Sequence, residues 1–274
     1  MKKYLAVALA ALLLVGSLAS CVSRDPDAID EYTPEVDYLV TDQGTFYFEE
    51  AEGETAILVD YNGKATKDDH VVIPSTFYGR TVTVIGEKAF YSLASVVEVT
   101  IPDTVVKIDK YAFARCTELR AINLPDGTLE VSAYAFAECD KLASANLGKS
   151  LTTIGEKAFW GCVALSEVDL PATVETIGDA AFWGCTALTA VEFPASVKTI
   201  GTLAYYDCTG IQSIKFHKDD ITIGDFAFVT DGSTLKDKID VSNLSEGSKV
   251  LEYVNAIAEP APETEAPETE APEA

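Results

Sequence analysis

The most reactive side chains in this 274-residue sequence are its six cysteines. Five of them recur at intervals of 23 residues, at Cys116, Cys139, Cys162, Cys185 and Cys208, whereas Cys21 stands alone near the start. A thiol can form a disulfide, bind a metal ion or carry an acyl group. Equal spacing indicates one position in five successive repeats. Side chains stacked in parallel do not reach the separation of roughly 3.8 Å between Cβ atoms that a disulfide favours, and they do not converge on a tetrahedral metal. We therefore predict five buried free thiols and no metal site.

Cys21 follows a segment with the composition of a cleavable export signal. Lys2 and Lys3 form a positive region, an apolar stretch covers residues 4–15, and small residues follow. The apolar stretch, about a dozen residues long, is too short for a comfortable transmembrane helix. Residues 18–21, Leu-Ala-Ser-Cys, resemble the lipobox of bacterial lipoproteins, which implies that Cys21 becomes the first mature residue and carries diacylglycerol on its sulfur. The alternative is an ordinary signal peptide with an incidental cysteine.

The residues that commonly perform catalysis do not form a recognisable site. The two histidines, His70 and His217, lie at opposite ends of the repeated region and have no motif partner. The sequence contains no Gly-x-Ser-x-Gly, phosphate-binding loop or His-Glu-x-x-His motif. It carries 44 acidic and 20 basic residues, a net charge of −24, which repels nucleic-acid phosphates and anionic lipid headgroups. We predict a protein that is not an enzyme, needs no cofactor and does not bind nucleic acid.

Polar residues in the middle of each predicted strand form a first candidate binding column. One occurs in each of six repeats: Thr100, Asn123, Asn146, Asp169, Glu192 and Lys215. We select Asn123, Asn146, Asp169 and Glu192 as candidate ligand contacts, because a polar strip can form hydrogen bonds to a glycan or an extended peptide. The alternative is a face that is merely soluble. The neighbouring carboxylates of Asp169 and Glu192 could also share a calcium ion.

Aromatic residues form a second candidate column. Trp160, Trp183 and Tyr206 occupy the same position in three successive repeats, directly after an inward-facing aromatic residue. If these rings are exposed, they form a platform for sugars or an anchor for a protein partner. The alternative is that they cover the outside of the core.

The repeat itself determines the predicted fold. The block Ile85-Gly-Glu-Lys-Ala-Phe90 returns seven times in all at intervals of 23 residues, up to residues 223–228. Within one unit, residues 168–170 alternate as in a short strand, Pro171 ends the strand, and residues 178–182 are typical of a short helical turn. A unit of 23 residues cannot bury enough apolar surface alone, so its stability requires stacking on its neighbours.

The pattern Ile-Gly-x-x-Ala-Phe-x-x-Cys-x-x-Leu-x-x-Val-x-Leu-Pro resembles the BspA-type leucine-rich repeat of bacterial surface proteins, over about residues 70–230. The resemblance implies an α/β repeat solenoid: a right-handed curved stack, rich in strands, with a parallel β-sheet face and short helical turns. Relatives that bind host matrix or other microbes imply adhesion.

The segments flanking the repeats suggest how the chain is organised. Residues 45–61 alternate, with Phe46, Phe48, Ile57 and Val59, and are expected to form a hairpin that caps the first coil. Residues 259–274 contain only Glu, Pro, Ala and Thr, which predicts a disordered tail. The expected boundaries are a signal peptide at 1–20, an acidic tether at 21–43, an N-terminal cap and entry at 44–84, repeats at 85–230, a C-terminal cap at 231–258 and the tail at 259–274.

These features predict an exported, lipid-anchored, monomeric protein of the bacterial cell surface. The leading hypothesis is an adhesin or recognition module that binds a host or microbial surface protein or glycan. One alternative is a structural or spacer lipoprotein of the envelope without specific affinity. Another is a glycan-capturing accessory of nutrient uptake.

Overall fold

The computed structural model describes residues 36–63, 70–230, 233–234 and 236–256. Through most of this range the chain winds in coils of 23 residues. Each coil places one short strand in each of two parallel ladders and closes through a series of tight turns. The predicted parallel-sheet solenoid is therefore confirmed.

The longer ladder, sheet A, begins with antiparallel strands and continues with parallel ones. Its strands are Asp37–Val40, Thr45–Ala51, Thr55–Asn62, Thr76–Phe77, Arg80–Ile85, Lys107–Ile108, Glu130–Val131, Thr153–Ile154, Thr176–Ile177, Thr199–Ile200 and Thr222–Ile223. From Ile85 onward each coil contributes a β-branched apolar residue that points inward and is mostly fully buried. The 23-residue register between coils follows from this inward position, because a shift by one residue would turn the apolar side chain outward.

The second ladder is divided into sheets B and C. Sheet B contains His70–Val72, Glu98–Thr100, Ala121–Asn123, Ser144–Asn146 and Glu167–Asp169, and sheet C contains Ala190–Phe193, Ser213–Phe216 and Ile239–Asp240. In most coils a proline follows the strand and starts a turn, as where the Val105 N–H donates to the Pro102 carbonyl at 3.0 Å. We call the outward side of sheets B and C the strand face.

The segments predicted as short helical turns are consecutive β-turns. In the first coil the N–H groups of Ala89, Tyr91 and Leu93 donate to the carbonyls three residues earlier, and residues 88 and 92 have positive φ. The alternate N–H groups, those of Lys88, Phe90 and Ser92, donate to carbonyls of the next coil. A helix would use these donors internally, so the left-handed residues direct them to the neighbouring coil instead. We call the outward side of these turns the turn face.

Aromatic rings fill the centre of the solenoid. Seven of them form a continuous stack at centroid distances of 4.8–5.5 Å: Phe90, Phe113, Phe136, Phe159, Phe182, Tyr205 and Phe228. Each is 0 or 1% exposed. Stacked pairs stabilise by about 0.5–1.5 kcal/mol beyond burial of their area, so this column ties each coil to the next.

The five equally spaced cysteines are free and fully buried, as predicted. Each thiol donates a hydrogen bond to the carbonyl of the stacked phenylalanine in the preceding coil, at Sγ–O distances of 3.0–3.3 Å. Burial raises the pKa of the Cys116 thiol to about 12. The thiols are therefore hydrogen-bonded core groups.

The N-terminal end is closed by antiparallel strands, with two differences from expectation. The strand Asp37–Val40 lies inside the segment expected to be a tether and pairs with Thr45–Ala51. In the hairpin, Ala56 and Leu58 are buried, whereas Ile57 and Val59 are only half-buried. A register shift between Tyr47 and Phe48 alters the pairing. A bulge of this kind has no clear signature in an alternating sequence.

The C-terminal end is closed by irregular elements. The strands Val229–Thr230 and Ser233–Thr234 form a short hairpin, and a 3-10 helix spans Lys236–Lys238. The helix α1, Lys249–Ala256, buries Val250 and Val254 and is the one α-helix of the described residues. The predicted signal peptide, Cys21, most of the tether and the acidic tail lie outside the described residues.

Candidate functional site

The first candidate column lies along the strand face as its spacing predicts. Five of its members, Thr100, Asn123, Asn146, Asp169 and Glu192, are exposed, and Lys215 is half-buried. Asn146 is in register with both Asn123 and Asp169, and Glu192 is in register with Lys215. Side chains alternate along a strand, so the residue between two inward apolar positions must point outward.

Pairing along the strand face is incomplete at two places. The strands Glu98–Thr100 and Ala121–Asn123 pair only at Glu98 and Ala121. The strands Glu167–Asp169 and Ala190–Phe193 belong to different sheets, which separates sheet B from sheet C. A shallow cleft lies at each of these places, so the predicted column passes through both clefts.

The first cleft has a volume of about 570 Å³ and is lined by residues of the first two repeat coils. Its walls include Asn123, the apolar Val99, and the carboxylates of Glu98, Asp103 and Asp126. The Asp126 carboxylate accepts a hydrogen bond from the Lys149 ammonium at 2.6 Å. Among the described residues, Glu98 and Asp103 form no ion pair. The cleft therefore presents net negative charge beside apolar wall atoms.

The second cleft has a volume of about 460 Å³ and lies between sheets B and C. Val168 and Leu170 are half-buried here, whereas the equivalent Val191 and Phe193 of the next coil are 5 and 0% exposed. Apolar side chains are thus more accessible at the second cleft than at the equivalent positions of the next coil. Asp169 lines this cleft and has no hydrogen bond or ion pair to the described part of the chain.

Glu192, on the other wall of the second cleft, is engaged by two basic side chains. The His217 imidazole lies within hydrogen-bond distance of its carboxylate, and the Lys215 ammonium donates to it at 3.0 Å. His217 and Lys215 hold the pKa of Glu192 below its ordinary value. Glu192 therefore contacts two basic side chains, whereas Asp169 contacts none among the described residues, despite their adjacent positions.

Among residues 36–63, 70–230, 233–234 and 236–256, no group of three or more His, Cys, Asp or Glu side chains could hold a metal ion.

Asn146, between the two clefts, has a local structural role as well as an exposed position. Its Oδ1 accepts a hydrogen bond of 3.1 Å from the Gly148 N–H. Gly148 has a φ of 68°, and a Cβ there would lie 2.3 Å from the Pro125 carbonyl oxygen. A glycine is therefore required where four other coils carry proline, and the amide nitrogen of Asn146 remains for a ligand.

The second candidate column lies on the turn face, where its rings are half-buried. Trp183 and Tyr206 pack edge to face with centroids 5.3 Å apart. Gly161 and Gly184, which follow the two tryptophans, have φ values of 70 and 75°. The equivalent positions in other coils are occupied by Ser92, Arg115, Glu138 and Asp207. At Gly161 and Gly184, by contrast, no side chain projects from the turn face beside the tryptophan.

A further group on the turn face was not selected from the sequence. Tyr111 and Tyr134 stack at 4.7 Å, and the ammonium groups of Lys88 and Lys157 lie over these rings at 6.0 and 5.1 Å. The Lys157 ammonium also donates to the Tyr134 hydroxyl at 2.9 Å. All four residues stand two positions before the stacked core aromatic residue, and this shared register is the signal that could have identified them.

The histidines have neighbours consistent with surface positions. The His70 Nε2 lies 2.8 Å from the Thr100 hydroxyl, and His217 contacts Glu192 as described.

In the described part of the chain, no helix has the length and apolar character needed to cross a membrane.

Comparison with known proteins agrees with the repeat geometry. The BspA type leucine rich repeat region, in six copies, matches residues 83–190 and 152–250. The structure of the T. pallidum leucine rich repeat protein TpLRR is 32% identical, covers 70% of this chain and 85% of its own, and has a TM-score of 0.59. A leucine-rich repeat protein from Bacteroides ovatus is 24% identical, covers 68% of this chain and 67% of its own, and has a TM-score of 0.44. No protein of curated function matches significantly.

Proposed function

We propose that this chain, which belongs to the BspA-type leucine-rich repeat family, is an exported recognition protein that binds a surface protein or glycan through its strand face. The observation that carries the proposal is the position of the two clefts. Both lie on the strand face, and both are lined by members of the polar column that the repeat makes available. A rigid repeat scaffold suits this role, because its contacts are held in place before a ligand arrives.

Anchoring at the cell surface is part of the same proposal. The Leu-Ala-Ser-Cys sequence at residues 18–21 and the apolar stretch before it support attachment of lipid at Cys21. The acidic surface supports a hydrophobic rather than an electrostatic attachment, because the net charge of −24 opposes anionic headgroups. Metabolic labelling with a radioactive fatty acid tests this: wild type incorporates label, and Cys21→Ala does not.

The turn face is a second candidate, for glycans in particular. Its support is the edge-to-face pair of Trp183 and Tyr206, beside which Gly161 and Gly184 leave the backbone open. Aromatic rings of this kind stack on sugars. Trp160→Ala combined with Trp183→Ala should abolish glycan binding if the turn face is used, and should leave binding unchanged if the strand face alone is used.

The experiment that tests the main proposal is a binding screen of the full chain, purified in nonionic detergent. The panel contains matrix proteins, mucins, host cells and a glycan array. We expect saturable binding to at least one member. Ser144→Arg places a bulky cation on the exposed middle of the strand face and should abolish that binding. Ser92→Arg is the matched control, because the turn face already carries Arg115 at the equivalent position one coil later.

The competing function is an envelope spacer without specific affinity. It predicts no saturable binding to any panel member by a folded protein. It also predicts that Ser144→Arg and Ser92→Arg behave alike in cells, because neither surface contacts a partner. A folded chain that gives this result would contradict the recognition proposal.

A further inference from the structure

Resting on the proposed function, we infer that the strand face binds an extended polypeptide segment with two basic side chains four residues apart, one in each cleft. The first cleft lies between the coils of Thr100 and Asn123, and the second lies between those of Asp169 and Glu192. The inference depends on the distance between the clefts, on their charge and on the flat surface that joins them.

The distance between the clefts matches an extended chain. Each cleft lies between two consecutive coils, and the second lies three coils beyond the first, because residues 100 and 169 differ by three repeats of 23. At about 4.8 Å per strand, three coils span about 14 Å. Four residues of an extended chain span nearly the same distance at about 3.4 Å each, and side chains at positions i and i+4 point to the same face.

Unbalanced negative charge selects the side chains that occupy the clefts. Glu98 and Asp103 at the first cleft, and Asp169 at the second, form no ion pair within the described residues. The other carboxylates that line the clefts, those of Asp126 and Glu192, already contact Lys149 and Lys215. A basic side chain can therefore approach an uncompensated carboxylate in each cleft, and the net charge of −24 favours the encounter.

The apolar wall of the second cleft favours a long basic side chain in particular. The half-buried Val168 and Leu170 line this cleft, whereas Val99 and Leu124 at the first cleft are only 5 and 4% exposed. The methylene stem of arginine or lysine can cover Val168 and Leu170 while its charged end reaches the Asp169 carboxylate. A bare cation or a short amine could use the charge and would leave this wall uncovered.

The surface between the clefts accommodates the backbone of the partner. The strands Ala121–Asn123, Ser144–Asn146 and Glu167–Asp169 are fully paired, so no gap interrupts this part of the strand face. Its outward residues include the small Ser144, and the Asn146 amide nitrogen is available to a main-chain carbonyl. The partner's residue i+2 would lie here, where small or polar side chains fit.

The test measures how the full chain binds four labelled nine-residue peptides in 150 mM NaCl by fluorescence anisotropy. The peptides share a threonine and valine background. The first carries arginine at positions 3 and 7, the second at positions 3 and 5, the third only at position 3, and the fourth has glutamate at positions 3 and 7. We expect the 3,7 peptide to bind at least about tenfold more tightly than the 3,5 peptide, because only the former engages both clefts at once.

Substitutions in the clefts complete the test. Asp169→Asn should reduce affinity for the 3,7 peptide to that for the single-arginine peptide, and Asp103→Asn should reduce it in part, because Glu98 remains in the first cleft. Glu87→Gln, which removes an exposed carboxylate of the turn face, is the matched control and should leave affinity unchanged. All three carboxylates are exposed and the replacements are nearly isosteric, so folding should be preserved.

Three results would overturn the inference. Equal affinity for the 3,7 and 3,5 peptides, with equal weakening by Glu87→Gln, would show diffuse attraction to an acidic protein. Failure of every peptide to bind, together with loss of a panel ligand in Ser144→Arg, would refute this partner and leave the proposed function intact. Failure of the peptides and of the whole panel would refute both.

Discussion

The thiol of Cys162 donates a 3.1 Å hydrogen bond to the main-chain carbonyl of Phe136, in the preceding coil. The same bond recurs for the other four buried cysteines, each 26 residues after its acceptor. One small, weakly donating side chain thus adds a hydrogen bond to a core carbonyl and joins two coils. This relationship explains why cysteine, rather than a purely apolar residue, suits the position.

The buried thiols should be unreactive until the protein unfolds. Burial keeps them from reagents, and the raised pKa of Cys116, about 12, keeps its thiolate scarce. Titration with a thiol reagent at pH 8 should detect none of the five in the folded protein and all five in denaturant without reductant. A denatured count of one or none would contradict the ladder of free thiols.

Alkaline pH should destabilise the protein through the buried Cys116 thiol. The folded-state pKa of Cys116 is raised by burial, so its contribution is complete below the ordinary pKa of 9.0 and is lost as pH rises from there toward about 12. The Cys116 thiol should thus cost about 1 kcal/mol of unfolding free energy between pH 8 and 10. Urea unfolding with reductant measures this loss. Cys116→Ala should show a smaller loss than wild type, and equal losses would refute the assignment.

The aromatic stack should matter far more to stability than the ion pairs between coils. Phe159 is fully buried between two stacked rings, so Phe159→Ala should lower the free energy of unfolding by about 3–5 kcal/mol. Lys198 pairs with Glu175 across coils, but their side chains are 59 and 48% exposed. Lys198→Ala should therefore change stability by less than about 0.5 kcal/mol in urea unfolding. Comparable losses in the two variants would contradict this ranking.

The left-handed residues of the turn face should be sensitive to a Cβ atom. Gly184 has a φ of 75° with space around it, so Gly184→Ala introduces backbone strain without a clash. We expect a loss of about 1 kcal/mol in the free energy of unfolding. Gly127 is the matched control, because its φ is not positive and a Cβ there would meet only the Asp103 carbonyl oxygen at 3.9 Å. Gly127→Ala should be neutral or slightly stabilising, and a larger loss there than at Gly184 would refute the explanation.

The repeated features of the fold could be predicted from sequence because each inward position recurs seven times. The 23-residue period predicts that Phe159, Cys162 and their equivalents lie in the core, where they are fully buried. The turns were misjudged, because residues such as Tyr134 and Glu138 adopt positive φ without the glycine that usually indicates it. Their strain is offset by hydrogen bonds to the next coil, which no local propensity reflects.

The candidate site was predictable only in part. Asn123 and Asp169 were placed correctly on the outward side of the strands by alternation. The two interruptions of pairing beside them could not be predicted, because these coils keep the same period as their neighbours. Whether adjacent strands close or separate depends on the balance of packing between whole coils. The engagement of Glu192 by Lys215 and His217 likewise required the structure.

The most direct test of the central claim compares Ser144→Arg with Ser92→Arg for binding to the ligand that the screen identifies. Both variants add the same side chain at an exposed serine, one on the strand face and one on the turn face. Recognition through the strand face predicts that Ser144→Arg abolishes saturable binding and that Ser92→Arg binds like wild type. Undiminished binding by folded Ser144→Arg, or equal loss in both variants, would contradict it.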